Sequence, residues 1–170
     1  MAAGVRSALV VALALALAPA LGGCGKGGAV KAPKVFGGGS GLPSDALDAA
    51  IGRSIGDPTT CVLIANRADG KVLYQYGEGF NCERGLPACD RPGTLSARQA
   101  LKLATSTSEG RMTSCNSDAA GDRSVGWAEG RITSSHNRDL VYSAVMEGER
   151  ALPGREMAAR LENEFQVVGL

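Results

Sequence analysis

Four cysteines in the middle of the chain, Cys61, Cys82, Cys89 and Cys115, constrain its fold more than any other feature. They stand behind an export signal. Residues 1–8 carry one charge, Arg6, residues 9–18 are an unbroken apolar run, and Gly22-Gly23 offers small residues for cleavage. The apolar run is too short to cross the ~30 Å hydrocarbon core of a bilayer as a helix. An even number of cysteines in an exported chain reads as two disulfides, because the compartment oxidises thiols. Zinc is the competing reading, but no Cys-x-x-Cys pair occurs. The one histidine, His136, sits in a polar Ser-Ser-His-Asn stretch and reads as a solvated loop residue. No metal or other cofactor is expected. Of the three possible pairings, loop closure alone favours Cys82 with Cys89, leaving Cys61 with Cys115.

The fifth cysteine, Cys24, follows Leu21-Gly22-Gly23 directly. That ending resembles the lipobox of bacterial lipoproteins. The resemblance covers residues 1–24 and implies cleavage before Cys24, a diacylglyceryl group on its sulfur and acylation of its new amino group. It also implies a cell-envelope location, and Gly25 in place of Asp after the cysteine implies the outer membrane, facing the periplasm. Removing Arg6 from the totals leaves seventeen basic and seventeen acidic residues. So balanced a chain gives no reason to expect nucleic acid, or adhesion to anionic lipid by charge. Membrane attachment then falls to the acyl chains, of which two or more make a stable anchor.

Three segments follow from composition: a signal peptide at 1–23, a lipidated Gly/Pro-rich tether at 24–43, and a single α+β domain at 44–170. The tether holds Gly27-Gly28, Gly37-Gly38-Gly39 and three lysines, and cannot bury a core. Ser44 reads as the N-cap of a first helix with Ala46, Leu47, Ala50, Ile51 and Ile55 on its apolar face. Cys61 to Ala65 and Lys71 to Tyr76 read as a β-hairpin around Asn66-Arg67-Ala68-Asp69-Gly70. Residues 77–93 read as loop. Thr94 or Ser96 then caps a helix through Ala97, Ala100, Leu101 and Ala104, and a polar edge strand lies within 105–115. Residues 122–129 and 139–147 read as two further strands, and Pro153 opens a last helix with Met157, Leu161 and Phe165 on one face. The order α-β-β-α-β-β-β-α predicts a mainly antiparallel sheet of about five strands with helices packed on it. Trp127, Met146, Met157 and Phe165 are core candidates, and Tyr74 and Tyr76 share one half-buried face.

The segment Cys-Val-Leu-Ile-Ala-Asn-Arg-Ala-Asp-Gly-Lys-Val-Leu-Tyr-Gln-Tyr (Cys61 to Tyr76) resembles the opening hairpin of serine β-lactamases and penicillin-binding transpeptidases. Ser124-Val125-Gly126-Trp127-Ala128-Glu129, with Leu140 to Met146 and the last helix, resembles their closing strands and C-terminal helix. At the helix start where that family has Ser-x-x-Lys, this chain has Thr94 and Ala97, and where Lys-Thr-Gly would stand it has Thr107-Ser108-Glu109-Gly110. Acyl transfer in the family needs a lysine-activated hydroxyl and a basic side chain facing it. Both lysines are missing, so the resemblance implies the sheet without the reaction centre, as in a truncated domain of this kind. The family's strand order also implies the pairing Cys61–Cys82 and Cys89–Cys115, against the loop-closure choice.

No phosphate-cradling glycine loop with lysine is present. Asp118, Asp122 and Glu129 are read as turn and strand-edge carboxylates. The expected function is a non-enzymatic envelope lipoprotein, a disulfide-stabilised binding or structural domain whose partner is an envelope protein or peptidoglycan. The alternatives are a remnant hydrolase or transpeptidase acting on cell-wall or β-lactam-type substrates through Thr94, Ser96 or Ser108, and a small-ligand or haem sensor.

Overall fold

The structure, a computed structural model, describes residues 41–133 and 138–170. The signal sequence, Cys24, nearly all of the tether and His136 lie outside the described residues. Asn66 organises the first hairpin: its side chain accepts from the Ala68 amide at 2.8 Å and its carbonyl from Gly70 at 2.9 Å. Gly70 takes φ +68°, which its missing Cβ permits. β1 (Cys61–Asn66) and β2 (Val72–Tyr76) therefore run antiparallel, with Ile64 opposite Tyr74. A second hairpin joins β5 (Arg111–Asn116) to β6 (Ser124–Thr133), and β7 (Asp139–Gly148) pairs with both β6 and β1. The sheet order is β2-β1-β7-β6-β5, antiparallel throughout. This is the predicted α+β architecture with its five-stranded sheet.

The strand period of two then decides what each face buries. Val62, Ile64, Ala128, Leu140, Tyr142, Ala144 and Met146 point to one face and meet α1 (Ser44–Ile55) and α4 (Gly154–Val167). Cys61, Leu63, Ala65, Val125, Trp127, Val141 and Val145 point to the other and meet α3 (Ala97–Ser106). The sheet is thus a middle layer, with helices on both sides. Its two faces differ in chemistry. Gln75, Glu129, Ser143 and Glu147, four of the six buried polar residues among those described, lie on strand positions that face α3.

Several local readings change. Ser44 lies inside α1, whose N-cap is Pro43 without a side-chain cap bond; the Pro43 carbonyl already accepts from Leu47 at 2.9 Å. Ala46 is exposed, while Leu47, Ala50, Ile51 and Ile55 are buried. Leu42, placed in the tether by composition, is buried in the α1–α4 cluster. The stretch read as loop contains α2 (Gly79–Glu83) and β3 (Leu86–Pro87), which pairs with β4 (Thr94–Leu95) just after it. Thr94 is therefore a strand residue and Ser96 alone caps α3. The core candidates Trp127, Met146, Met157 and Phe165 are buried, and Tyr74 is too, donating to Asp48 Oδ1 at 2.7 Å.

Gly154 lets α4 begin flat on the sheet. A Cβ there would stand 2.1 Å from the Trp127 carbonyl oxygen and 2.5 Å from that of Thr113. Both are strand backbone and cannot step aside. Alanine in place of glycine normally stabilises a helix by about 1 kcal/mol. Here Gly154→Ala is expected to destabilise by about 1–3 kcal/mol, read as an earlier urea midpoint.

Candidate functional site

α3 starts with a reciprocal cap. Ser96 Oγ accepts from the Gln99 amide at 3.3 Å, and Gln99 Oε1 accepts from the Ser96 amide at 2.9 Å. Such a box satisfies two N-terminal donors that the helix itself cannot. Ser143 Oγ donates to the Ala97 carbonyl at 2.8 Å from the sheet below. Thr94 is exposed on β4, and Ser108 is at the far end of α3, in the turn before β5. The structure therefore separates the three candidate hydroxyls: Thr94 and Ser96 flank the helix start, and Ser108 follows the helix end.

Ser108 borders a groove of about 510 Å³ between the end of α3 and the β5–β6 pair, with Arg91, Ser106, Glu109, Arg111 and Glu129. Arg111 and Glu129 are opposite each other in the register. Arg111 gives Glu129 Oε1 two donors, Nε at 2.9 Å and Nη2 in closer contact. Its Nη1 reaches the Ala88 carbonyl at 3.1 Å and Asp90 Oδ1 at 3.0 Å. The guanidinium also lies 5.7 Å from the Trp127 ring centroid, where the negative ring face attracts a cation. Trp127 Nε1 donates to the Pro87 carbonyl at 2.7 Å. Glu129 is only 3% exposed, and this burial, aided by the charge of Asp90, raises its proton affinity while Arg111 opposes the rise. Arg91 holds the Asp90 carboxyl below its ordinary range. The groove floor is thus a set of charges fixed against one another, under a rim of hydroxyls.

One wall of the groove is tied down by a disulfide. The bridges join Cys61 to Cys82 and Cys89 to Cys115, the pairing implied by the β-lactamase-like strand order and not the one favoured by loop closure. Cys89 is the one non-glycine residue with positive φ, at +69°, among the described residues. The Asp90 amide bonds the Ala88 carbonyl across it at 2.9 Å. That is a γ-turn with its central residue in a strained region, and the bond to Cys115 on β5 holds it against the edge strand.

The second buried acid is Glu147. It accepts from Arg123 Nε and Nη2 at 2.9 Å each, from Arg84 at 2.8 Å and from Ser117 at 2.8 Å. These donors, Arg123 foremost, hold its carboxyl at about 2. A carboxyl depressed by folding stabilises the fold above its unfolded value and stops doing so as pH falls through the folded one. Its contribution is therefore complete above about 4.5 and lost toward pH 2. Urea titrations at successive pH values are expected to show that loss in the parent and a smaller one in Glu147→Gln.

Asp118 is the expected turn carboxylate, accepting from the Gly121 amide at 2.9 Å. Among the described residues no three His, Cys, Asp or Glu side chains gather as a metal site. Sequence reading passed over Arg111, Asp90, Arg84 and Arg123. A signal existed for Arg111 and Glu129: they stand at equal distance on either side of Ala120, so an antiparallel register about that turn brings opposite charges together. Comparison with known protein families, with curated proteins and with solved structures finds no match.

Proposed function

We propose that the chain is a non-enzymatic lipoprotein of the bacterial cell envelope, anchored by acyl groups on Cys24 and carried on the tether that follows. Its domain binds an envelope protein or a peptidoglycan strand at the groove beside α3. The observation that supports this most is the clamp of Arg111 on Glu129. A carboxylate that accepts two charge-assisted donors at the floor of the groove is a fixed polar feature, suited to recognising a polar partner. Penicillin and a fluorophosphonate probe are expected to leave the intact mass of the protein unchanged. Crosslinking in intact cells is expected to recover an envelope partner, and Cys24→Ala is expected to abolish membrane attachment. Stoichiometric acylation of Thr94, Ser96 or Ser108 would overturn the reading.

One observation favours the remnant-hydrolase alternative: Ser108 shares a groove with Glu129, a buried carboxyl of raised proton affinity. That reading predicts that Glu129→Gln abolishes labelling at Ser108, and the same mass measurement separates the two.

A further inference from the structure

α3 leaves a second groove on its other flank, against the β1–β2 turn. It holds about 450 Å³ and is lined by Arg67, Asp69, Val72, Arg98, Leu101 and Lys102 among others. Three of these side chains are cations and one is an anion. Their protein partners do not neutralise them. Asp139 is shared between Arg67 at 3.3 Å and Arg131 at 2.9 Å, so one carboxylate faces two guanidiniums. Arg98 meets Glu83 and the amide oxygen of Gln75 at 3.0 Å. Lys102 is exposed, and its ammonium makes no hydrogen bond or ion pair with any described residue. Asp69 is committed locally, its Oδ1 accepting from the Lys71 amide at 3.0 Å. With Arg131 and these carboxylates included, four cations face three anions.

Arg67 contributes a second kind of imbalance. Its Nε is buried and has no hydrogen-bond partner in the protein. Buried donors are nearly always matched, so the guanidinium of Arg67 is not fully held by the protein around it. The cations also come from two directions, Arg67 from the hairpin turn and Arg98 with Lys102 from the helix. A planar carboxylate is satisfied by one guanidinium fork, whereas a tetrahedral dianion takes donors from several sides. Val72 and Leu101 add apolar surface next to the charges, room for the stem of a larger molecule.

We propose that this groove binds a phosphate monoester, with Arg67, Arg98 and Lys102 around the phosphoryl oxygens and the stem on Val72 and Leu101. The site is separate from the Glu129 groove and stands whether or not that groove binds a partner. A soluble phosphate ester and a lipid headgroup phosphate share this chemistry, and the experiment tells them apart. The full chain, purified from membranes in neutral detergent, is titrated calorimetrically at low salt with inorganic phosphate. A parallel titration uses phosphatidic acid doped into the micelles. Saturable binding of one equivalent is expected in at least one arm. Binding in the phosphate arm identifies a soluble source, and binding confined to the phosphatidic acid arm identifies a headgroup. Lys102→Gln and Arg67→Gln are each expected to weaken binding about tenfold, since each removes a charge-assisted contact. Arg155→Gln, on α4 beyond the opposite face of the sheet, is expected to change nothing. Lys102 is an exposed helix residue, so its substitution leaves the fold intact and keeps the result interpretable. Lack of saturable binding in both arms, or binding indifferent to Lys102→Gln and Arg67→Gln, would overturn the proposal.

Discussion

Arg111→Ala is expected to destabilise the domain by about 3–5 kcal/mol, the cost of leaving a buried carboxylate without its cation. Glu129 is 3% exposed and receives two of its hydrogen bonds from this one guanidinium. The same substitution takes one donor each from Asp90 and the Ala88 carbonyl and removes the cation beside the Trp127 ring. Two further measurements identify the cause. Arg111→Met with Glu129→Leu removes both charges and is expected to recover most of the loss, because the pair itself adds little once its desolvation is counted. Lowering the pH is also expected to restore the single variant toward the parent, since a buried lone carboxyl escapes its penalty by taking a proton. A single variant within about 1 kcal/mol of the parent would mean that the buried charge is not what Arg111 offsets.

Replacing Cys61 and Cys82 together by serine is expected to lower stability by at least about 3 kcal/mol, the chain-entropy value for a loop of this length. The loop spans 21 residues, against 26 for Cys89–Cys115, so this entropic contribution hardly separates the two bridges. Burial separates them. Cys61 and Cys82 are both fully buried and Cys82 packs in the α3-side cluster, so two serines would bring hydroxyls into an apolar site. Cys89 and Cys115 are half-buried, and their loss is expected to cost less. Parallel urea unfolding of the two double variants tests the ranking. A larger loss for the Cys89–Cys115 pair would place more of the stability in the groove wall than in the core.

Where the sequence was legible, a local signal was strong enough to decide alone. Asn66 to Gly70 carries its turn chemistry in five residues, and both flanking strands followed. The helix start at Thr94 or Ser96 was legible, the structure giving the cap to Ser96, and Pro153 marks another. Ser44 misled because the turn of α1 is already closed onto the Pro43 carbonyl one residue earlier. β3 and β4 are two residues each, too short to show a period, and α2 is barely a turn. The side of the sheet on which α3 packs could not be read from its apolar stripe, because an amphipathic helix fits either face. The groove was less legible still. Asp90, Arg111 and Glu129 come from a loop and two strands, and only the register and the Cys89–Cys115 bridge make them neighbours. The proposed lipid anchor is the reverse case, a reading from a short contiguous motif that needs no fold.

β7 is the middle strand of the sheet and also the last strand in the chain. Until residues 139–148 are available, β1–β2 and β5–β6 are two separate ribbons, each with an open edge where β7 will sit. Isolated two-stranded ribbons are marginal in water. A chain delivered from its N-terminus, whether from a ribosome or through a translocation pore, therefore cannot complete this domain until nearly all of it has emerged. The delay suits the export proposed above, because a segment that cannot fold early remains threadable. It also means that a stop codon between β6 and β7 leaves two ribbons with exposed edges, a form expected to be degraded or to aggregate and never to persist as a smaller domain.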